Sequence, residues 1–273
     1  MADLSPAAAA RYVGTLGTVK SLKRLFARGW LHKSQQLRIV TVNGVRYKRL
    51  VLHDAYLAAE IERNLEAFGP SPRLPQLVTR FENEVWLEFV PGETLTHADD
   101  GVLAEVAAFY SELYSRTTGT VSTAETVLPQ RLERDLEFLR ETRVISTEAW
   151  RDLSATAERI APRKISIGFE YTDPVLKNFV LPASGGPLCA VDVESLVQDR
   201  PLGAGIAKAS VYWLTPAQRD RMLEQIDATL PQLRAQLPFV ELCFLARWTK
   251  TKFLTGKPKL AHEQRFEAFR APG

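Results

Sequence analysis

The sequence has few cysteines, no long apolar run and almost no acidic residues near its two ends. Only Cys189 and Cys243 occur among 273 residues, which excludes a disulfide framework and a cysteine-based metal site. We therefore expect a reducing compartment and two buried thiols. No stretch approaches the roughly 18 apolar residues of a membrane span, and the first residues lack the pattern of a secretion signal. These absences predict a soluble, cytoplasmic protein.

Acidic residues are nearly absent from positions 1 to 53, which hold ten Lys or Arg and only Asp3. The segment 247–270 holds seven Lys or Arg against two Glu. Basic ends on an otherwise acidic chain indicate contact with phosphates, on a nucleotide, an anionic lipid surface or a nucleic acid, or else two solvated faces. We expect no nucleic-acid partner, because such a function would leave the acidic hairpin described next unexplained.

Three polar residues stand in a strand-like stretch between residues 165 and 195. They are Asp173, Asn178 and Asp192. Two apolar runs around a Gly-Gly turn predict a β-hairpin with these polar side chains at its open end. Phosphoryl transfer needs one carboxylate near the acceptor hydroxyl and further oxygen ligands for Mg²⁺. The alternative is a structural hairpin in which the Asp and Asn residues only shape turns and caps.

The segment before this hairpin predicts a small antiparallel sheet with one helix. The strands are Leu37–Val42, Val45–Val51 and two more within residues 77 to 95. Asn43-Gly44 between the first pair is the strongest short hairpin signal, and a helix from Asp54 to Phe68 ends at Gly69-Pro70. Residues 18–31 fit either an amphipathic helix or an additional strand. Helical periodicity then predicts three helices, at Val102–Tyr114, Pro129–Leu139 and Thr147–Ile160.

The order of a strand Lys, a helix Glu, a linker, Asp-x-x-x-x-Asn and a second Asp resembles the protein-kinase-like superfamily. Asp192-Val193-Glu194 and the linker LEFVPGETL resemble most closely its aminoglycoside phosphotransferase and choline kinase-like branch. The resemblance spans roughly residues 20 to 215. It implies an α+β, two-lobed fold, with a sheet-and-helix N-lobe at residues 1–90. A mainly helical C-lobe at residues 91–273 would hold the hairpin 165–195 and the acceptor site.

The resemblance also implies a chemical role for each polar residue of the hairpin, with ATP and Mg²⁺ as cofactors. Asp173 takes or orients the proton of the acceptor hydroxyl. Asn178 and Asp192 are the ligands of the metal ion that bridges to the nucleotide phosphates.

The nucleotide site that the resemblance implies lies in the N-lobe. Lys48 pairs with the α- and β-phosphates and is held by a glutamate of the following helix, Glu60 or, as the alternative, Glu62. Two linker positions and one glycine complete this set. They are the main chain of Glu88 and Val90, which reads the adenine edge, and Gly29 in a degenerate phosphate loop.

Some positions depart from the pattern of this branch. The usual His two residues before the catalytic Asp is Tyr171, and an Asp that braces the catalytic loop is replaced by Gly205. The Lys that protein kinases place two residues after the Asp is Val175, which argues against a protein substrate; Lys177 is a partial substitute. No G-x-G-x-x-G motif precedes the predicted sheet.

The sequence therefore predicts ATP-dependent transfer of a γ-phosphoryl group to a hydroxyl of a small molecule, sugar or glycolipid. The alternative is a pseudokinase that binds a nucleotide or a protein partner. Two basic segments with aromatic residues, 19–33 and 247–259, add a hypothesis of peripheral contact with the inner face of an anionic membrane, since each basic residue near such a surface contributes about 1 kcal/mol.

Overall fold

The computed structural model describes residues 36 to 270. Within that range ten strands and eight α-helices occur, with short 3₁₀ turns between them. The strands are β1 (Gln36–Val42), β2 (Val45–Val51), β3 (Leu77–Phe81), β4 (Glu84–Glu88), β5 (Gly92–Thr94), β6 (Gly119–Ser122), β7 (Lys164–Tyr171), β8 (Phe179–Pro182), β9 (Cys189–Ala190) and β10 (Leu196–Pro201). The helices are α1 (Ala55–Phe68), α2 (Asp100–Ser115), α3 (Leu128–Glu141), α4 (Thr147–Ile160), α5 (Ala204–Tyr212), α6 (Pro216–Asp227), α7 (Leu233–Leu254) and α8 (Glu267–Arg270). The predicted α+β class is confirmed.

The described chain divides into two compact units. Unit 1 combines residues 36–94 with Phe179–Glu194, and unit 2 combines Leu95–Asn178 with residues 195–270. The hairpin of β8 and β9 therefore belongs to unit 1, whereas the prediction grouped it with the C-lobe at residues 91–273. Its backbone pairing explains this difference, because β5 pairs with β8 and the N–H of Ala190 donates to the carbonyl of Arg73 over 2.8 Å.

The main sheet of unit 1 has the antiparallel order β1-β2-β4-β3. Asn43 and Gly44 turn between β1 and β2 with positive φ angles of 51° and 79°, a conformation that Asn and Gly tolerate best. Successive side chains of β2 point to opposite faces, and Tyr47 packs edge-on against Trp86 with ring centroids 6.3 Å apart. Lys48 lies on the other face, opposite Leu87 of β4 in the register. The predicted hairpin is confirmed.

Helix α1 begins and ends where its capping residues predict. The carboxylate of Asp54 accepts a hydrogen bond from the N–H of Leu57, and Gly69 ends the helix with a φ of 78°. Ile61, Leu65 and Phe68 are buried along one stripe, as amphipathic spacing requires.

Unit 2 contains a three-stranded sheet, in the order β10-β7-β6, and most of the helices. One of its apolar clusters includes Leu136 of α3, Leu153 of α4 and Leu242 of α7. Helix α4 has the predicted bounds, with the hydroxyl of Ser146 accepting from the N–H of Ala149 at its start. The other two predicted helices, α2 and α3, occur with ends that extend one or two residues further.

Several predictions concern residues 1–35, which lie outside the described range. They include Gly29, the helix or strand at 18–31 and the basic segment 19–33. Within residues 36–270, no helix is both long enough and apolar enough to cross a membrane. Both cysteines are free thiols, Cys189 buried and Cys243 half-buried.

Candidate functional site

Lys48 extends from β2 towards the end of the hairpin in unit 1. Its side chain is only 8% exposed, and its ammonium group donates a hydrogen bond to the carbonyl of Val191. Burial lowers the pKa of Lys48, and the nearby carboxylates of Asp192 and Glu194 oppose that shift. Burying a cation costs free energy unless anions compensate it, so the position of Lys48 depends on the charges of the hairpin.

Asp192 and Glu194 lie directly after β9, and both are partly exposed. Burial raises the pKa of Glu194, and the charge of Asp192 raises it further, while Lys48 lowers it. Two carboxylates this close repel each other, and a cation relieves that repulsion. The arrangement is therefore suited to a group that brings positive charge, such as a metal ion with its bound phosphates.

The structure does not pair Lys48 with the predicted helix glutamate. Among residues 36–270, Glu60 makes no salt bridge with Lys48, and the alternative, Glu62, is paired with Arg80. Glu60 instead stays on α1 as a half-buried side chain. The missing contact follows from the competing partners of Lys48, which are the carbonyl of Val191 and the two carboxylates after β9.

The linker positions proposed for adenine recognition lie at the end of β4 and just beyond it. The N–H of Glu88 already donates to the carbonyl of Gln76 over 2.9 Å. The side chain of Glu88 is exposed, and Val90 is half-buried. Their base-reading role stays a prediction.

In unit 2 the chain between Asp173 and Asn178 forms a tightly bonded loop. The side-chain amide of Asn178 donates to the carbonyl of Asp173 over 2.8 Å, and the indole N–H of Trp213 donates to the carbonyl of Pro174 over 2.7 Å. Upstream, the N–H of Thr172 donates to the carbonyl of Ser195. The Asp-x-x-x-x-Asn spacing thus returns the side-chain amide of Asn178 to the start of the loop.

The cation at the candidate catalytic residue is Lys208 of α5. Its Nζ lies 2.6 Å from Oδ1 of Asp173, whereas Lys177, the suggested substitute, is exposed. Thirty-five positions separate Asp173 from Lys208 in the sequence, so local motif spacing could not reveal the pair. The sequence did contain one indication that Lys208 has a specific role, since it is the only charged residue between positions 201 and 218.

Glu170, three residues before Asp173, is a second residue that sequence reasoning missed. Its carboxylate is fully buried and accepts hydrogen bonds from the N–H groups of Gly203 and Ala204, over 2.7 and 3.0 Å. The Tyr114 hydroxyl donates to the same oxygen over 3.1 Å. Burial raises the pKa of Glu170 to about 7, although these donors act in the opposite direction. The carboxylate therefore ties β7 to the first turn of α5.

Gly205 has no room for a side chain beside this carboxylate. A Cβ atom there would lie 2.2 Å from both the Tyr110 hydroxyl and the Tyr171 carbonyl, and 2.8 Å from Oε1 of Glu170. The expected loss of a brace at Gly205 is thus compensated in this chain, because a carboxylate from β7 binds the helix. Tyr171 lies beneath the loop as suggested, buried edge-on against Phe109, and its carbonyl accepts from the Tyr110 hydroxyl.

The donor set for Mg²⁺ is small. Within the described residues, no group of three or more His, Cys, Asp or Glu side chains is placed to hold a metal ion. In unit 1 the candidate ligands are the carboxylates of Asp192 and Glu194, and in unit 2 the amide oxygen of Asn178 stays a predicted ligand. Carboxylate and amide oxygens suit Mg²⁺, which usually keeps one or two carboxylates and takes its other ligands from water and substrate phosphates. The residues therefore fit a nucleotide-bound Mg²⁺ better than an all-protein metal site.

No protein-family profile and no curated protein matches the sequence. Solved structures match the fold. Macrolide 2′-phosphotransferase MphH from Brachybacterium faecium is 14% identical, with 93% of this chain and 98% of that chain covered and a TM-score of 0.59. Choline kinase LicA from Streptococcus pneumoniae is 13% identical, with 93% and 99% covered and a TM-score of 0.56. The chain has a kinase-like fold.

An aminoglycoside phosphotransferase solved with ADP and hygromycin B gives a similar result, at 13% identity, 87% and 90% coverage and a TM-score of 0.56. These matches confirm the predicted fold and its resemblance to the aminoglycoside phosphotransferase and choline kinase-like branch. At such identities the likeness concerns the fold, so the chemistry of this chain depends on its own residues.

Proposed function

We propose that this protein is an ATP-dependent phosphotransferase that moves the γ-phosphoryl group to a hydroxyl of a small molecule or sugar. The observation that carries the proposal is the buried ammonium of Lys48 beside Asp192 and Glu194 in unit 1. A packed sheet has no structural need for a buried cation facing two carboxylates on a hairpin end, whereas triphosphate binding with a metal ion requires this combination.

On the nucleotide side, Lys48 would contact the phosphates, Asp192 would hold the metal ion and Asn178 would supply an amide oxygen to it. When bound, Mg²⁺ neutralises charge on the phosphate oxygens and makes the γ-phosphorus easier to attack. Glu88 and Val90 contact the adenine through main-chain groups. Glu60 has no assigned partner in this scheme, since Lys48 is held by the hairpin instead.

On the acceptor side, Asp173 receives the proton of the acceptor hydroxyl. The hydroxyl oxygen forms a bond to the γ-phosphorus while the bond from that phosphorus to the β,γ-bridging oxygen breaks, so ADP leaves with the electron pair. Lys208 binds one oxygen of Asp173, which leaves the other for the hydroxyl. The bonded loop from Asp173 to Asn178 holds this carboxylate in place before the substrate arrives, as preorganised catalysis requires.

A nucleotide-binding pseudokinase is the second candidate, and the departures at Tyr171 and Gly205 favour it. The burial of Tyr171 and the bonding of Glu170 weaken that argument, because the loop is braced without the usual residues. We also propose a cytoplasmic location, where ATP is supplied. Peripheral contact with an anionic membrane stays a prediction, since one of its two basic segments, 19–33, lies outside the described residues.

The experiment that separates the two candidates is a screen of ATP consumption against sugars, amino alcohols and aminoglycosides, with Mg²⁺ present. The parent protein should consume ATP with at least one acceptor and yield a phosphorylated product. Asp173→Asn should reduce that rate by about 10²- to 10⁴-fold, the usual contribution of a positioned acid or base. ATP binding without turnover on any acceptor would instead support the pseudokinase.

A further inference from the structure

A surface of aromatic and basic side chains begins at Asp173 and continues onto α7. Lys208, bound to Asp173, lies 6.0 Å from the ring of Tyr212. The Tyr212 ring lies 6.3 Å from that of Trp248, whose indole N–H donates to the Tyr212 hydroxyl over 3.1 Å. We call Tyr212, Trp248, Lys252 and Arg265 the Tyr212–Trp248 surface. All of it belongs to unit 2, as does the catalytic loop.

Helical spacing explains how this surface forms. Lys208 and Tyr212 are four residues apart on α5, and Trp248 and Lys252 are four apart on α7, so each pair shares one helix face. The other two cations of α7 within the segment 247–259, Arg247 and Lys250, both pair with the buried carboxylate of Asp135. The basic segment 247–259 is therefore divided between a structural face and the face that carries Trp248.

The cations of the Tyr212–Trp248 surface contact an aromatic ring, and Arg265 also donates through Nε to the carbonyl of Leu260 over 2.7 Å, but in the described part of the chain neither is paired with a carboxylate. Lys252 lies 5.1 Å and Arg265 4.5 Å from the Trp248 ring centroid. Within residues 36–270 neither has a salt bridge to an acidic side chain. Positions 242 to 262 contain no Asp or Glu, and Glu263 is bound to Arg270. Their charges are thus not neutralised by a carboxylate, on a surface that is linked to Asp173 through Lys208, Tyr212 and Trp248.

The pKa of the Tyr212 hydroxyl responds to the positive charges around it. Burial alone would raise its pKa, but the hydrogen bond from Trp248 and the charge of Lys252 together lower it. The same positive charges would repel a cationic ligand at this surface. The ring of Trp248, which could otherwise hold a quaternary ammonium group, already has two cations of the protein over it.

We infer that the hydroxyl acceptor carries an anionic group, a phosphate or a carboxylate, which Lys252 and Arg265 bind while the hydroxyl lies at Asp173. Arg and Lys side chains bind both groups through charge-assisted hydrogen bonds. The inference rests on the proposed phosphotransferase function. It separates this chain from choline kinase and the aminoglycoside phosphotransferase, whose named ligands, choline and hygromycin B, bear positively charged nitrogen.

The first test measures turnover with acceptors that differ only in charge: glucose, glucosamine, glucose 6-phosphate and glucuronate. The parent should use an anionic sugar with a kcat/KM at least tenfold above that for glucose, and glucosamine should be the poorest. Lys252→Gln with Arg265→Gln should remove at least tenfold of that preference. Lys164→Gln, an exposed change on β7, should leave it unaltered. Equal or better use of glucosamine would overturn the inference while leaving the phosphotransferase function intact.

The second test reads binding without turnover. The indole N–H resonance of Trp248, assigned by its loss in Trp248→Phe, is followed during titration with glucose 6-phosphate or glucosamine. We expect a saturable shift with glucose 6-phosphate alone, and a Kd at least tenfold higher in the double variant. If this shift occurs but no acceptor consumes ATP, the proposed function fails and the anion site stands. No shift with glucose 6-phosphate overturns the anion site.

The anionic group could belong to a lipid or to a soluble sugar, and vesicle sedimentation distinguishes these sources. Co-sedimentation with phosphatidylglycerol vesicles that is lost in the double variant, yet kept in Lys164→Gln, would support a lipid-linked acceptor. Binding of glucose 6-phosphate without co-sedimentation would support a soluble one. Co-sedimentation that is equal in the parent and the double variant would contradict a role for Lys252 and Arg265 at the lipid.

Discussion

Unit 1 contains charged groups that burial destabilises, whereas unit 2 contains a loop that hydrogen bonds stabilise. In unit 1, Lys48 is buried at a cost to its charged form, and the carboxyl of Glu194 is also destabilised in its charged form by burial. In unit 2, the loop from Asp173 to Asn178 is held by side-chain hydrogen bonds to main-chain carbonyls, with distances of 2.7 to 2.8 Å.

This difference indicates two different tasks. Charges that stay energetically unfavourable in the folded protein are expected where a charged ligand completes the site, and unit 1 has that property. A loop whose polar groups are already satisfied is suited to holding one reactive carboxylate in a fixed position. This difference supports the proposal that Lys48, with Asp192, binds the ligand and that Asp173 takes the proton.

Two neighbouring residues of β2 should differ in whether their charge serves stability or ligand binding. Arg49 is fully buried and paired with Glu84, so Arg49→Met should leave an uncompensated carboxylate and cost about 3 to 5 kcal/mol of unfolding free energy. Lys48→Met should change stability by less than about 1 kcal/mol, because removing a cation destabilised by burial offsets its lost contacts, and should greatly weaken ATP binding. Urea unfolding and ATP titration measure both. A Lys48→Met variant as unstable as Arg49→Met would make Lys48 structural.

A second prediction concerns the rigidity of unit 2. Gly205→Ala places a Cβ 2.2 Å from a main-chain carbonyl and should cost about 3 kcal/mol, at the upper end for overpacking. Gly119→Ala, on β6 with no heavy atom within 4 Å of its Cβ, is the matched control and should cost less than about 1 kcal/mol. Thermal or urea unfolding compares the two. Equal losses would mean that the first turn of α5 can move away from β7.

A third prediction concerns pH and Glu170. Its pKa of about 7 lies above the ordinary value of 4.5, so the folded protein binds a proton here that the unfolded chain has released. The stabilisation is complete below about pH 4.5 and is lost as pH rises towards 7, up to roughly 3 kcal/mol. Glu170→Gln should remove this part of the slope when unfolding is measured from pH 5 to 8. Parallel curves for parent and variant would contradict the assignment.

Local signals predicted the elements of this fold well. Asn43-Gly44 predicted its turn, and Thr147–Ile160 was predicted with its observed bounds because its cap and apolar period coincide. The spacing of Asp173 and Asn178 predicted a polar loop, and their amide-to-carbonyl bond is present. These features depend on neighbours within one or two turns of chain.

The remaining features depend on contacts between distant segments. Glu170 occupies an ordinary strand position, and only the fold brings the N–H groups of α5 to it. Lys208 was missed for the same reason. The resemblance paired Lys48 with Glu60, and the bond of Lys48 to the carbonyl of Val191 also depends on a distant segment. The local sequence pattern predicts the helix or strand that holds a residue, but not the distant group that the residue will contact.

The most direct test of the division between the two units compares Asp173→Asn with Asp192→Asn. Titration of each folded variant with ATP and Mg²⁺ is read calorimetrically, and turnover is read with the best acceptor of the parent. We predict that Asp173→Asn binds the nucleotide as the parent does but loses turnover, whereas Asp192→Asn loses Mg²⁺-dependent binding. If both variants bind and react like the parent, the hairpin and its loop are structural and the account is wrong.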